Sequence, residues 1–179
     1  MLDPLSSLLI LTDTQVKLTA VMHDWATTCR NIRIIVEGCR ILDIPILWLE
    51  QYPNGLGPTV PEVAALLDGL EPHVKSTFSS LRDPDVNAAF TALGRTQALL
   101  VGIEAHVCIF QTAMDLLERG AETHVIADAV SSRTAANREI GIARIGHAGG
   151  HITSVETALF ELLGDAADSR FKDIMRLIK

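Results

Sequence analysis

The sequence predicts a three-layer α/β/α sandwich built on a mainly parallel, six-stranded, Rossmann-like sheet, and three observations support that expectation. Short β-rich runs alternate with longer helical patterns, the pattern of parallel strands joined by crossover helices. The chain has 179 residues, the size of one domain with a sizeable core, so a single domain over 1–179 is expected. Ionisable residues follow strand-like segments, and the carboxyl ends of strands are where sites gather in open α/β sheets.

Strands are expected near residues 7–12, 45–50, 71–75, 97–102, 122–127 and 150–153, with the first one central. Between the first two, Ile32, Ile35, Val36, Cys39 and Leu42 recur at helical spacing, and Pro45 marks re-entry into a strand. Asp83-Pro84 reads as an N-cap followed by proline at the first helical position, and Thr153-Ser154-Val155-Glu156 has capping-box spacing. Gly120 and Gly164 sit where helices should stop. In the last segment Phe171, Ile174, Met175 and Ile178 form one apolar stripe, to be buried on its own domain or on a partner.

Composition narrows the function classes. A net charge of −7 and the lack of a Lys/Arg run argue against a nucleic-acid partner. The apolar runs Leu8–Leu11 and Ala98–Val101 fall far short of the ~20 residues that a membrane helix needs. No signal-peptide pattern opens the chain, so no membrane association and a cytoplasmic location are expected. Of the three cysteines, Cys29 and Cys39 share one helical pattern. Ten residues of rise place them ~15 Å apart, too far for a disulfide, and both read as core residues.

The third cysteine carries chemistry. Cys108 follows the strand pattern Ala98–Ile103 and sits where a helix should begin, where unpaired N–H groups stabilise a thiolate. Asp13 and Lys75 also follow strand-like segments, which suggests a Cys-Asp-Lys triad. Read alone, Asp13 also suits a helix N-cap, and most lysines are solvated.

Val101-Gly102-Ile103-Glu104-Ala105-His106-Val107-Cys108-Ile109, together with Ile10-Leu11-Thr12-Asp13-Thr14-Gln15, resembles the isochorismatase-like (cysteine hydrolase) superfamily. The segments 50–62, Lys75-Ser76-Thr77-Phe78-Ser79 and Asp128-Ala129-Val130-Ser131-Ser132-Arg133 resemble the isochorismatase domain-containing subgroup. The resemblance implies Asp13 as base and Cys108 as nucleophile, with Lys75 as a fixed positive charge. It also implies a cis Ile103–Glu104 bond and an oxyanion hole made by the backbone N–H groups of Glu104 and Cys108. Lys75 and the helix start would depress the Cys108 pKa, so that it alkylates faster than Cys29 or Cys39.

A small-molecule amide or related acyl substrate is expected, with Gln15, Gln51, Tyr52, Phe78 and Glu104 as candidate contacts. Glu104 reads equally as substrate-facing or as paired with a local cation, and the Pro- and Gly-rich loop 51–61 as a wall over the site or an ordered surface connection. His106 reads as a packing or surface residue, and Asp128, Ser132 and Arg133 as loop braces. Nicotinamidase-like relatives carry an Asp and two His after the second strand. This chain has no histidine between His23 and His73, so neither a metal nor another cofactor is expected, and Gly149-Gly150 separates His147 from His151. Isochorismatase proper cleaves a vinyl ether and lacks the cysteine, so the alternatives are that reaction and a non-catalytic interaction protein. A homo-oligomer is expected, as is common in the family.

Overall fold

All six residues of β1 (Ser7–Thr12) are buried, because this strand lies inside the sheet and is covered on both faces. The computed structural model describes all residues from Met1 to Lys179. Its six strands are β1, β2 (Ile46–Gln51), β3 (His73–Lys75), β4 (Gln97–Ile103), β5 (Glu122–Ser131) and β6 (His151–Thr153), in the order β3-β2-β1-β4-β5-β6. Every pairing is parallel, so the sheet is wholly rather than mainly parallel.

Alternation along β1 divides the core. Leu9 and Leu11 join a cluster that includes Ile32, Ile35 and Leu159, whereas Leu8 and Ile10 join one that includes Phe90, Ala113 and Ile145. The helices run in chain order as α1 (Val16–Thr19), α2 (Trp25–Ile41), α3 (Pro53–Leu56), α4 (Pro61–Ala64), α5 (Pro84–Leu93), α6 (Phe110–Glu118), α7 (Ala135–His147), α8 (Val155–Leu163) and α9 (Phe171–Ile178). On one face lie α2, α8 and α9, and on the other α5, α6 and α7, giving three layers. None of the helices is long and apolar enough to cross a membrane.

Local signals act close to where they were expected. The Asp83 side chain accepts from the N–H groups of Asp85 and Val86 and caps α5. The cap of α8 is Ser154 rather than Thr153, because Thr153 is committed to β6 through its pairing with Ile126. Cys29 and Cys39 lie on α2, with Cys39 in the core and Cys29 at its edge. The terminal stripe packs within the chain: Ile174 is buried and Phe171 and Ile178 pack beside it, joined by Leu177, whereas the partly buried Met175 lies outside that cluster. Asn54-Gly55 falls inside the single turn of α3.

The direction in which strands are added reverses between β1 and β4, since β2 and β3 lie to one side of β1 and β5 and β6 to the other side of β4. That switch point opens a crevice at the carboxyl ends of both strands. Thr12 is paired with Gly102, where a Cβ would fall 2.0 Å from the Thr12 carbonyl oxygen and φ is +108°. Glycine is therefore required for this close approach, which brings Asp13 beside the segment leading to Cys108.

Candidate active site

Asp13 leaves β1 in the left-handed region, with φ 55°, and is fully buried. A buried carboxylate needs compensation, and Lys75 at the end of β3 provides it, with Nζ 2.8 Å from Asp13 Oδ2. Lys75 is only 1% exposed. It also donates to Gln51 Oε1 at 2.6 Å and to the Thr77 carbonyl at 3.3 Å, so all three ammonium donors have acceptors. This lysine is a fixed internal charge rather than a solvated surface group.

Cys108 sits in a single π-helical turn, Ala105–Ile109, that runs directly into α6. It is 7% exposed, and its thiol interacts with the Asp13 carboxylate. Asp13 Oδ1 has no oxygen or nitrogen partner, so one carboxylate oxygen is committed to the lysine and the other is available to the thiol. The peptide bond between Ile103 and Glu104 is cis. The Glu104 backbone amide favours the Cys108 thiolate.

The electrostatics differ from the expected depressed thiol. Burial, followed by the Asp13 charge, pushes the Cys108 pKa up to about 12, outweighing Lys75 and the Glu104 amide. Burial also raises the Asp13 pKa, and Lys75 opposes that rise. The thiol is therefore protonated at neutral pH, with Asp13 beside it as the neighbouring acid–base group. The helix start does not dominate, because Cys108 is enclosed and faces a negative neighbour.

The expected substrate contacts fall into two groups. Gln15 is fully buried: its Nε2 donates to the carbonyls of Gln51 and Gly57 at 2.9 and 2.6 Å, and its Oε1 accepts from Gln51 N at 2.7 Å. Gln51 Oε1 holds Lys75, and its Nε2 donates to the Ser76 carbonyl at 2.7 Å. Both amides are thus committed to the protein, Gln15 clamping the loop and Gln51 orienting the lysine. Tyr52 and Phe78 instead leave the carboxyl end of the sheet 60% and 56% exposed.

The Glu104 side chain is 11% exposed and its Oε2 lies 3.4 Å from Arg133 Nε, so the local cation is present and the carboxylate is drawn inward. Ser132 Oγ lies 3.0 Å from His106 Nδ1, and Asp128 accepts from Val155 N, so these residues brace loops. The loop 51–61 is tied down. Glu50 Oε1 accepts from Thr59 N and Oγ1, and Lys17 donates to the Gly55 carbonyl. Glu50 was missed in the sequence, since only the folded loop brings Thr59 to it. Beside Cys108 the Asp13 carboxylate is ion-paired with Lys75. The side chains that group as metal ligands, Glu122, His124 and His151, lie at the other end of the sheet.

Comparison with known proteins agrees with this architecture. The family model described as Isochorismatase domain matches residues 7–157. "Isochorismatase domain-containing protein 2" of Danio rerio is 42% identical over 173 residues, covering 96% of this chain and 86% of that protein. The solved structure of "MAR1 Ribonuclease" from Caenorhabditis elegans superposes with a TM-score of 0.93 at 36% identity, over 99% of this chain and 91% of that one. The YcaC gene product of Escherichia coli, described as an octameric hydrolase of unknown specificity, superposes with a TM-score of 0.90 at 20% identity, over 99% and 94% of the two chains.

Proposed function

The chain belongs to the isochorismatase-domain family, which supports a hydrolase-like activity, and on that premise we propose that it is a cysteine hydrolase acting on a small amide or related acyl compound. The observation that carries this reading is the Asp13 carboxylate, enclosed between the Lys75 ammonium and the Cys108 thiol at the switch point of the sheet.

In the proposed cycle the Cys108 sulfur attacks the acyl carbon while its proton passes to Asp13. The carbonyl oxygen takes up negative charge and is held by the backbone N–H groups of Glu104 and Cys108. Collapse breaks the C–N bond, Asp13 returns the proton to the leaving nitrogen, and a thioester remains. Water then gives a proton to Asp13 and its hydroxyl to the carbonyl carbon, releasing the acid. The thiolate recovers the proton from Asp13. Lys75 keeps its charge throughout and stabilises the carboxylate form of Asp13 between transfers.

The limited exposure of Cys108 fits a substrate that presents a small group, and the exposed rings of Tyr52 and Phe78 supply apolar walls for the remainder. Net charge −7 disfavours a polyanionic substrate such as RNA, despite the ribonuclease description of the Caenorhabditis relative. We read residues 1–179 as one domain and a homo-oligomer as its working form. The octameric Escherichia protein and the exposed Val74 on the edge strand β3 support the latter.

The test is a panel of small amides, carbamoyl compounds and vinyl ethers assayed with the intact protein and with Cys108→Ala, coupled to mass spectrometry for an acyl adduct. Amide turnover with a Cys108 adduct, both lost in Cys108→Ala, is expected. Vinyl-ether cleavage that survives Cys108→Ala would move the reading to isochorismatase-type chemistry. Neither turnover nor adduct would leave a non-catalytic interaction protein.

A further inference from the structure

At the amino-terminal edge of the sheet, far from Cys108 along the strands, three ligating side chains converge. His124 on β5 and His151 on β6 are register partners on adjacent parallel strands. Glu122 precedes His124 by two positions on one strand and so projects from the same face. The two imidazoles stack with centroids 4.7 Å apart. Glu122 Oε1 lies 2.8 Å from His124 Nε2 and 4.0 Å from His151 Nε2, and one ligand atom from each residue falls within a 4.8 Å group.

We propose that Glu122, His124 and His151 bind one divalent transition-metal ion, with zinc the best fit to the donor set. Two imidazole nitrogens and a carboxylate oxygen form a recurrent three-ligand zinc set that leaves a fourth position for water. Ligand atoms around tetrahedral zinc stand ~3.3 Å apart, so closure requires the outer members to move by ~1 Å. His151 is able to make that movement, being 58% exposed on a three-residue edge strand.

Glu122 is held in advance by a hydrogen bond, and His124 is fixed by burial, at 5% exposure. Gln97 Nε2 donates to Glu122 Oε2 at 2.9 Å and leaves Oε1 for the ion. Gln97 is itself fixed, because its Oε1 accepts from Ser7 Oγ and Asp3 N at 3.0 and 2.7 Å. Such outer hydrogen bonds orient metal ligands. A bound ion would replace the Glu122–His124 hydrogen bond and fasten β6 to β5.

The experiment uses the full chain, stripped with chelator and titrated with zinc by calorimetry, then with cobalt followed by visible absorption. One equivalent should bind, with the absorption of a four-coordinate cobalt ion and a higher Tm in zinc. His151→Ala and Glu122→Gln should each weaken binding at least about tenfold, whereas Cys108→Ala should bind as the parent does. The His151 change lies at an exposed edge, and circular dichroism checks that it folds. Absent binding, binding unchanged in both variants, or binding lost only in Cys108→Ala would overturn the proposal.

Discussion

At the carboxyl end of the sheet Asp13 and Lys75 are sealed from water, and every donor on the ammonium is already used. At the amino end Gln97 holds Glu122 from behind and His124 is buried, but Glu122 is partly exposed and His151 stands open to solvent on an edge strand. Both clusters contain a carboxylate and a basic group within 2.8 Å. The difference lies in what the surroundings permit. The sealed cluster has a fixed charge arrangement suited to moving one proton, whereas the open one has a movable member and room for a ligand arriving from water.

The largest test of that contrast is the cost of breaking each pair. Lys75→Met leaves the Asp13 carboxylate buried without its cation, and a loss of ~3–5 kcal/mol is expected in urea denaturation at neutral pH. The loss should shrink as pH falls and Asp13 takes up a proton. Glu122→Gln, at the half-exposed cluster, should cost about 1 kcal/mol or less without metal. Equal losses would break the comparison.

A second test uses protonation. The Cys108 pKa lies above the ordinary thiol value of 9.0, at about 12, so the folded state holds this proton more tightly than the unfolded chain. That contribution to stability is complete below pH 9 and is lost as pH rises toward 12. Alkylation of Cys108 by iodoacetamide should correspondingly rise about tenfold per pH unit through the alkaline range, without a plateau near neutrality. Asp13→Asn removes the negative neighbour and should speed alkylation at pH 7 while abolishing turnover; slower alkylation would refute the assigned electrostatics. The amino end responds with the opposite sign. The His124 pKa is lowered, so its contribution is present above the ordinary 6.5 and is lost as pH falls through the lowered value.

A third test compares two glycines. A Cβ at Gly141 would lie 2.6 Å from the Ala105 carbonyl and 2.7 Å from the His106 nitrogen, pressing on the turn that carries Cys108. Gly141→Ala should cost ~1–3 kcal/mol and slow Cys108 labelling, read by Tm and mass spectrometry. At Gly149, before β6, a Cβ meets nothing within 4 Å, so only the positive φ of +101° opposes substitution. Gly149→Ala should cost ~1–2 kcal/mol and leave Cys108 labelling unchanged.

Much of this arrangement is written locally. Alternating apolar runs and helical spacing determined the six strands and the layered architecture, and Asp83-Pro84 determined a helix start, because such signals act between neighbours in the chain. The motifs around Asp13, Lys75 and Cys108 marked the carboxyl ends of β1, β3 and β4. Tertiary structure alone decided the rest. The raised thiol pKa follows from burial and from a carboxylate contributed by a different strand. Gln15 clamps the loop because the folded loop returns to it, and Gln51 orients Lys75 because β3 pairs beside β2. Glu122, His124 and His151 meet through the parallel register of β5 and β6. Periodicity specifies which face a side chain takes, but neither the register between distant strands nor the dielectric around a buried group is a local property of the chain.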